Sequence, residues 1–284
     1  MPPKQVSRRH MLTSLGAAAL TLPHPACAKL PDLSNPKARL RAFMMMRGAL
    51  NEQLIISCIE CTYAGIVNAQ LTPFYNLVAA TFSRSRPAPG GGYDVVSFEI
   101  EYFLDSASGD VLTAWRNPYT GETVQAKHTD SVPRKYRIGP DCQIKLPAAP
   151  LTPGTSISAE TMPLRIIGND VWSTEATTAI VPTPGGKPIR YNEKVINHAR
   201  LSDIANPALV HAPTDVTYIG ISSFRPWQNM GDHPGEMLGT GHGAVGITLA
   251  QLPAAWLAAT SARHPEALRN PAAALDPLWR TLSP

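Results

Sequence analysis

The chain has 284 residues, 44% of them apolar and 16% charged, and a formal net charge of +4. That composition excludes a disordered chain and leaves room for one large domain with a substantial core. Its 28 prolines and 20 glycines are scattered, which points to many turns between short elements.

The first 28 residues read as an export signal. "SRRHMLTSLGAAALTLPHPACA" has paired Arg8 and Arg9, an apolar run from Met11 to Leu22, and Ala26-Cys27-Ala28 as a cleavage site. The Ser-Arg-Arg start resembles the twin-arginine export type, so the export machinery is an expected partner and the periplasm or exterior the expected location. The apolar run is too short for a membrane span. Cleavage after Ala28 suits the residues better than a lipidated Cys27, because His24 and Pro25 precede it. A short buried N-terminal helix is the structural alternative. The signal carries Lys4, Arg8 and Arg9 and no acid, so the remaining chain has a formal charge of +1. No basic stripe remains, which argues against nucleic acid as a partner. Twin-arginine export permits a cofactor loaded before export, but no motif calls for one.

From about residue 40 to 225 the period is two. "RAFMMMRG", "EQLIISCIECTYAGIV" and "PFYNLVAATFSR" read as strands, with "RPAPGGG" as a connector. In "VVSFEIEYFL" Val96, Phe98, Ile100, Tyr102 and Leu104 share one face, and Ser97, Glu99 and Glu101 the other. "DVLTAWR" and "TVQAKH" follow across two similar turns, each opened by Asp105 or Asn117 and closed by Gly109 or Gly121. A three-stranded meander is expected there. "PRKYRI", "MPLRIIGNDVWSTEATTAIVP", "KVINHARLS" and "TDVTYIGISSFR" bring the total to about nine or ten strands. Residues 249–284 read as short helices, with Pro253, Pro265 and Pro277 each in a first turn. The expected fold is an all-β antiparallel meander closed into a lipocalin-like barrel, one domain over 29–284 with a helical C-terminal cap. A β-sandwich is the alternative.

"YFLDSASGDVLTAWRNPYTGETV", "SSFRPWQNMGDHPGEML" and "QLPAAW" together resemble the domain of unknown function 1838 family of exported bacterial and fungal proteins. The resemblance runs from "MRGAL" at 46–50 to the Leu-Pro at 252–253 and is most specific in W-R-N-P-x-T-G-E and P-W-x-x-M-G-x-x-P-G. It implies one exported domain and supplies no site residues.

Chemistry has several candidate carriers. Arg116, beside Trp115 and Asn117 at a strand end, has the planar fork to clamp a carboxylate or enolate; a structural corner is the alternative. Glu99 and Glu101 are candidate general bases if their face is interior, and solvated surface charges if it is not. His128 is a candidate acid/base or a structural histidine. Tyr102, Trp115, Asn117, Arg225 and Trp227 are candidate ligand contacts, the last two in a block that either lids or seals the barrel. Cys58 and Cys61 have C-x-x-C spacing inside a strand, where positions three apart face opposite ways. Buried thiols, or a disulfide involving Cys142, therefore fit better than a metal or redox site. "GHGAVG" (241–246) matches G-x-G-x-x-G without the βαβ setting that motif needs. The Met44–Met46 run has soft sulfur ligands, yet packing accounts for it.

Three functions remain. One is an exported barrel binding a small, largely apolar or aromatic ligand. The second is a cofactor-independent acid/base enzyme, an isomerase, cyclase, lyase or hydrolase. The third is an interaction module meeting a partner through aromatics around Trp227. A polar interior favours the enzyme, a greasy one the carrier, and a filled one the interaction module.

Overall fold

The computed structural model describes residues 31–128, 133–146, 153–183 and 186–281. The expected export signal, with Arg8, Arg9 and Cys27, lies outside these residues.

Ten strands follow one another around a nearly closed antiparallel barrel. In spatial order they are β7 (Ile144–Lys145), β6 (Arg134–Ile138), β3 (Tyr93–Leu104), β2 (Gln70–Pro87), β1 (Ile55–Val67), β13 (Glu236–Ile247), β12 (Thr214–Ser222), β11 (Ile189–Arg200), β10 (Asp170–Val181) and β8 (Ser156–Thr161). The short β9 (Arg165–Ile167) adds to the free end of β10. A single path of strands rather than two stacked sheets disposes of the sandwich alternative. The two ends of the path meet through a side chain. Gln143 Nε2 donates to the Thr161 carbonyl at 2.9 Å, and Gln143 Oε1 accepts from the Thr161 N–H at 3.1 Å. The carboxamide thus stands in for a peptide group across the β7–β8 seam.

Of the expected three-stranded meander only the first strand, β3, belongs to this wall. β4 (Ala114–Arg116) and β5 (Thr123–Gln125) pair only with each other, and β6 takes the place beside β3. The twin turns do form as read. Asp105 Oδ1 accepts from the Ala107 and Ser108 N–H groups, and Asn117 Oδ1 accepts from those of Tyr119 and Thr120. Gly109 and Gly121 both sit at φ 76°, where a side chain would be strained. The second turn closes the β4–β5 hairpin.

Residues 41–47, expected as a strand, are helical. Helix α1 (Pro36–Arg47) starts at Asn35, whose Oδ1 accepts from the Lys37 and Ala38 N–H groups, with Pro36 in the first turn. The segment has no β-branched residue, so a strong cap decides against the strand. The helix closes one end of the barrel. Phe43 and Met44 pack on Val95, Ile138 and Cys142, while Met45 and Met46 pack on Val171 and Ala199. This packing occupies the methionine run.

The C-terminal helices α3 (Ala254–Arg263), α4 (Pro265–Arg269) and α5 (Pro271–Thr281) lie along the outer wall rather than over an end. They cover the apolar face of β3 and its neighbours: Val78, Phe82, Val96, Phe98 and Ile100 pack on Leu252, Trp256 and Leu275. Trp256 is wholly buried and donates its Nε1–H to the Ile100 carbonyl at 3.0 Å. Removing a side chain of that size costs about 3–5 kcal/mol. Pro277 sits inside α5 instead of starting a helix, because Asn270 already caps the segment through the Ala273 N–H. Among the described residues, no helix is long and apolar enough to cross a membrane.

Candidate functional site

Because β3 turns its apolar face outward to the helices, Ser97, Glu99 and Glu101 face the interior. Side-chain alternation and register then place Thr81, Cys61, Tyr63, Tyr218, Glu193 and Tyr191 on the same inner surface. Electrostatics give the same answer. Glu99 on β3 acts on Glu193 and Tyr191 on β11, although four strands separate these two along the sheet. They face one another across the barrel. Glu99 is exposed and Glu101 and Glu193 are half-buried, so solvent reaches the carboxylate part of this face, while Cys61, Tyr63 and Tyr218 pack in the aromatic cluster beside it.

Glu193 is a perturbed carboxyl on this face. Burial raises its pKa, and the Glu99 charge adds to the rise; a hydrogen bond from Tyr218 and the charges of Arg225 and Arg134 oppose it. Tyr218 Oη donates to Glu193 Oε2 at 3.1 Å and shares a further hydrogen bond with Tyr63. Burial raises both phenols, so each remains a neutral O–H. Tyr63, Tyr218 and Glu193 thus form one hydrogen-bonded chain. Glu99 accepts from Thr81 Oγ1 at 2.9 Å.

The tyrosines fit because β13 presents glycine to them. Gly239, Gly241 and Gly243 fall on its inner face, opposite Tyr63, Cys61 and Ile59. A Cβ on Gly239 would lie 2.8 Å from the Tyr63 ring. Here lies the meaning of "GTGHG": on a strand, glycine at every second position clears one face.

A roof of aromatic side chains covers the end opposite α1. Trp227 stacks on Tyr75 at 5.8 Å, and Trp115 meets both Tyr75 and Trp227 edge-on. Asn117, fully buried, donates from Nδ2 to the Gln228 carbonyl at 2.9 Å. Gln228 Nε2 donates to Tyr75 Oη at 3.1 Å, and its Oε1 accepts from the Arg225 N–H at 2.6 Å. The Trp-Arg-Asn corner therefore anchors the roof segment, and that segment brings Arg225 over the interior.

The remaining candidates divide. Arg116 is exposed and is not among the cations that act on Glu193 or the inner tyrosines; Arg225 and Arg134 are. Tyr102 points outward, where Thr260 Oγ1 donates to its hydroxyl at 3.4 Å, so it does not face the interior. His128 fastens the hairpin: its Nδ1 accepts from the Phe103 N–H at 3.1 Å and its Nε2 lies 3.0 Å from the Leu112 carbonyl. Those contacts make Nε2 the protonated nitrogen and occupy both sides of the ring. Glu193, Tyr63, Tyr218 and Arg134 were missed from the sequence. Nothing local distinguishes them, because β1, β6, β11 and β12 meet only when the barrel closes.

Cys58, Cys61 and Cys142 are free and buried in three different clusters, so no disulfide joins them. Burial pushes the Cys58 and Cys61 thiols up to about 12, which removes the thiolate needed for redox or ligand chemistry. Among the described residues, no three His, Cys, Asp or Glu side chains come together as a metal would require.

Two other polar groupings are held by pairs of their own. At the α1 end, Arg47 bonds Glu175 Oε1 and Oε2 at 2.8 and 2.9 Å and also Tyr136. Burial opposes the Arg47 charge, but Glu175 and Tyr136 outweigh it, so the guanidinium stays protonated. On the outer wall a cleft of about 310 Å³ is lined by His198, Arg200, Asp203, Asp215 and Gly246. Its His198 and Arg200 both lie against Asp170, at 3.3 and 2.9 Å.

Comparison with known proteins adds the family. The model of the family described as "Protein of unknown function (DUF1838)" matches residues 51–278, which take in every barrel strand and most of the outer helices. No curated protein matches the chain. Over four-fifths of its length, with the anchoring corner, the roof and the barrel all inside the match, the chain belongs to the DUF1838 family.

Proposed function

We propose that this is an exported protein whose barrel interior binds a small molecule and exchanges a proton with it through Glu193. The observation that carries the reading is the inner face itself: a desolvated Glu193, bonded to Tyr218 and acted on by the charge of an exposed Glu99. A carboxyl with a raised pKa keeps its proton closer to neutral pH, and its carboxylate is a stronger base than an ordinary one. In a base step, Glu193 takes the proton from a C–H or O–H bond of the ligand, and the electron pair stays on the ligand beside Arg225. Tyr218 and Tyr63 hold the carboxylate in place during that step. The roof of Trp227, Tyr75 and Trp115 suits an aromatic or apolar portion of the same ligand. This favours the acid/base enzyme over a purely apolar carrier, because the groups facing the water are carboxylates and phenols.

The binding part is tested with the neutral fluorophore N-phenyl-1-naphthylamine, excited by energy transfer from the roof tryptophans. Saturable binding is expected, and Ala79→Trp, which fills the inner wall beside Glu101, should abolish it while the protein still folds. Equal binding to the wild type and Ala79→Trp would contradict the interior site. For export, Arg8→Lys with Arg9→Lys should retain the protein in the cytoplasm; continued export by the double variant would refute the twin-arginine route.

A further inference from the structure

Two guanidinium groups bear on the interior without an ion-pair partner among the described residues. Arg134 lies on the inward face of β6, at the register of Ser97 and in alternation with Tyr136 and Ile138. Arg225 hangs from the roof, its backbone fixed by the Gln228 hydrogen bonds. Among the described residues no carboxylate lies within 4 Å of either; outward-facing arginines such as Arg116 and Arg190 share that feature, and what sets Arg134 and Arg225 apart is that they bear on the interior carboxylate Glu193. Three glutamates share the interior, so the two arginines stand apart from acids that are close at hand. Both act on the same two groups, Tyr191 and Glu193, one from the wall and one from above. Charges converging on one place without a partner provide for an anion that arrives from outside.

We infer that the ligand is a small organic acid, its carboxylate held between Arg134 and Arg225 and its apolar or aromatic body beneath the Trp227–Tyr75 stack. This rests on the interior site proposed above and names its substrate class. Arg225 is the specificity-determining residue, because the roof that positions it also supplies the aromatic surface. The carboxylate, anchored there, leaves the adjoining carbon or hydroxyl beside Glu193.

The test compares 3-phenylpropanoate with its neutral isostere 3-phenylpropanamide on the full-length protein, read by roof-tryptophan fluorescence and by displacement of N-phenyl-1-naphthylamine. The acid should bind about tenfold or more tightly than the amide, as charge-assisted hydrogen bonds to two arginines imply. Arg225→Gln and Arg134→Gln should each reduce that preference without changing amide binding, and Arg116→Gln, on the outside, should leave it intact. Equal binding of acid and amide to the wild type would overturn the inference while leaving an interior site standing. A preference for the acid that survives Arg134→Gln with Arg225→Gln would overturn it too. If neither probe nor the fluorophore binds, the interior site fails and the inference with it. Unchanged amide binding in the glutamine variants shows that they remain folded.

Discussion

Asn117 serves two structures at once: its Oδ1 holds the turn through the Tyr119 and Thr120 N–H groups, and its Nδ2 holds the roof through the Gln228 carbonyl. Alanine at this position would strand a buried carbonyl and two turn donors. Asn117→Ala should therefore cost about 3 kcal/mol in denaturant unfolding, since each unmet buried group costs about 1–3 kcal/mol. Its neighbour Arg116 is exposed, and Arg116→Ala should change stability by no more than about 0.5 kcal/mol. A large loss at Arg116 with none at Asn117 would show that the corner has been read the wrong way round. The twin turns were legible because an Asx residue and a glycine in fixed order specify them locally. Which of Trp115, Arg116 and Asn117 would face inward was not, because their partners Tyr75, Trp227 and Gln228 come from 40 or more residues away in each direction.

Among the elements, the strands announce themselves by period, and the alternation read in Val95–Leu104 matches the burial of β3. The same pattern does not say which face is inside. Polar residues usually face outward, and here the usual rule is reversed because α3–α5 supply a second apolar layer outside the wall. Helix α1 was misread for a related reason: three consecutive methionines have no period, and Asn35-Pro36 is a helix start whose weight shows only beside the packed end of the barrel. Closure into a barrel was expected from the run of strands without interleaved helices, but not the device at the seam, which is one carboxamide. Gln143→Ala should open the β7–β8 seam, seen as faster amide exchange at Ile144, Lys145 and Thr161, for about 1–2 kcal/mol of local stability. Unchanged protection at those amides would mean that Gln143 does not close the barrel.

At the scale of the whole molecule, the barrel is closed by α1 at one end and roofed by aromatic side chains at the other, with Glu99 exposed between them. Composition pointed to a barrel with a small interior. The interior chemistry we propose rests on Glu99, Glu193, Tyr218 and Arg225, which lie on three strands and a loop and have no common sequence signal. The fold leaves a signature in pH dependence. The Glu193 pKa is raised in the folded protein, so its contribution to stability is fully present below the ordinary glutamate value of about 4.3 and is lost as pH rises through the folded value. Glu193→Gln should accordingly raise Tm at pH 8 relative to the wild type and lose that advantage near pH 4.

The most direct measurement is a carboxyl carbon-13 NMR titration of Glu193, assigned by its disappearance in Glu193→Gln. A midpoint above the ordinary glutamate range is expected, moving down in Glu99→Gln as the facing charge is removed and up in Tyr218→Phe as the donor is lost. A Glu193 that titrates like a solvated glutamate, indifferent to both substitutions, would contradict the proposed proton-exchanging interior.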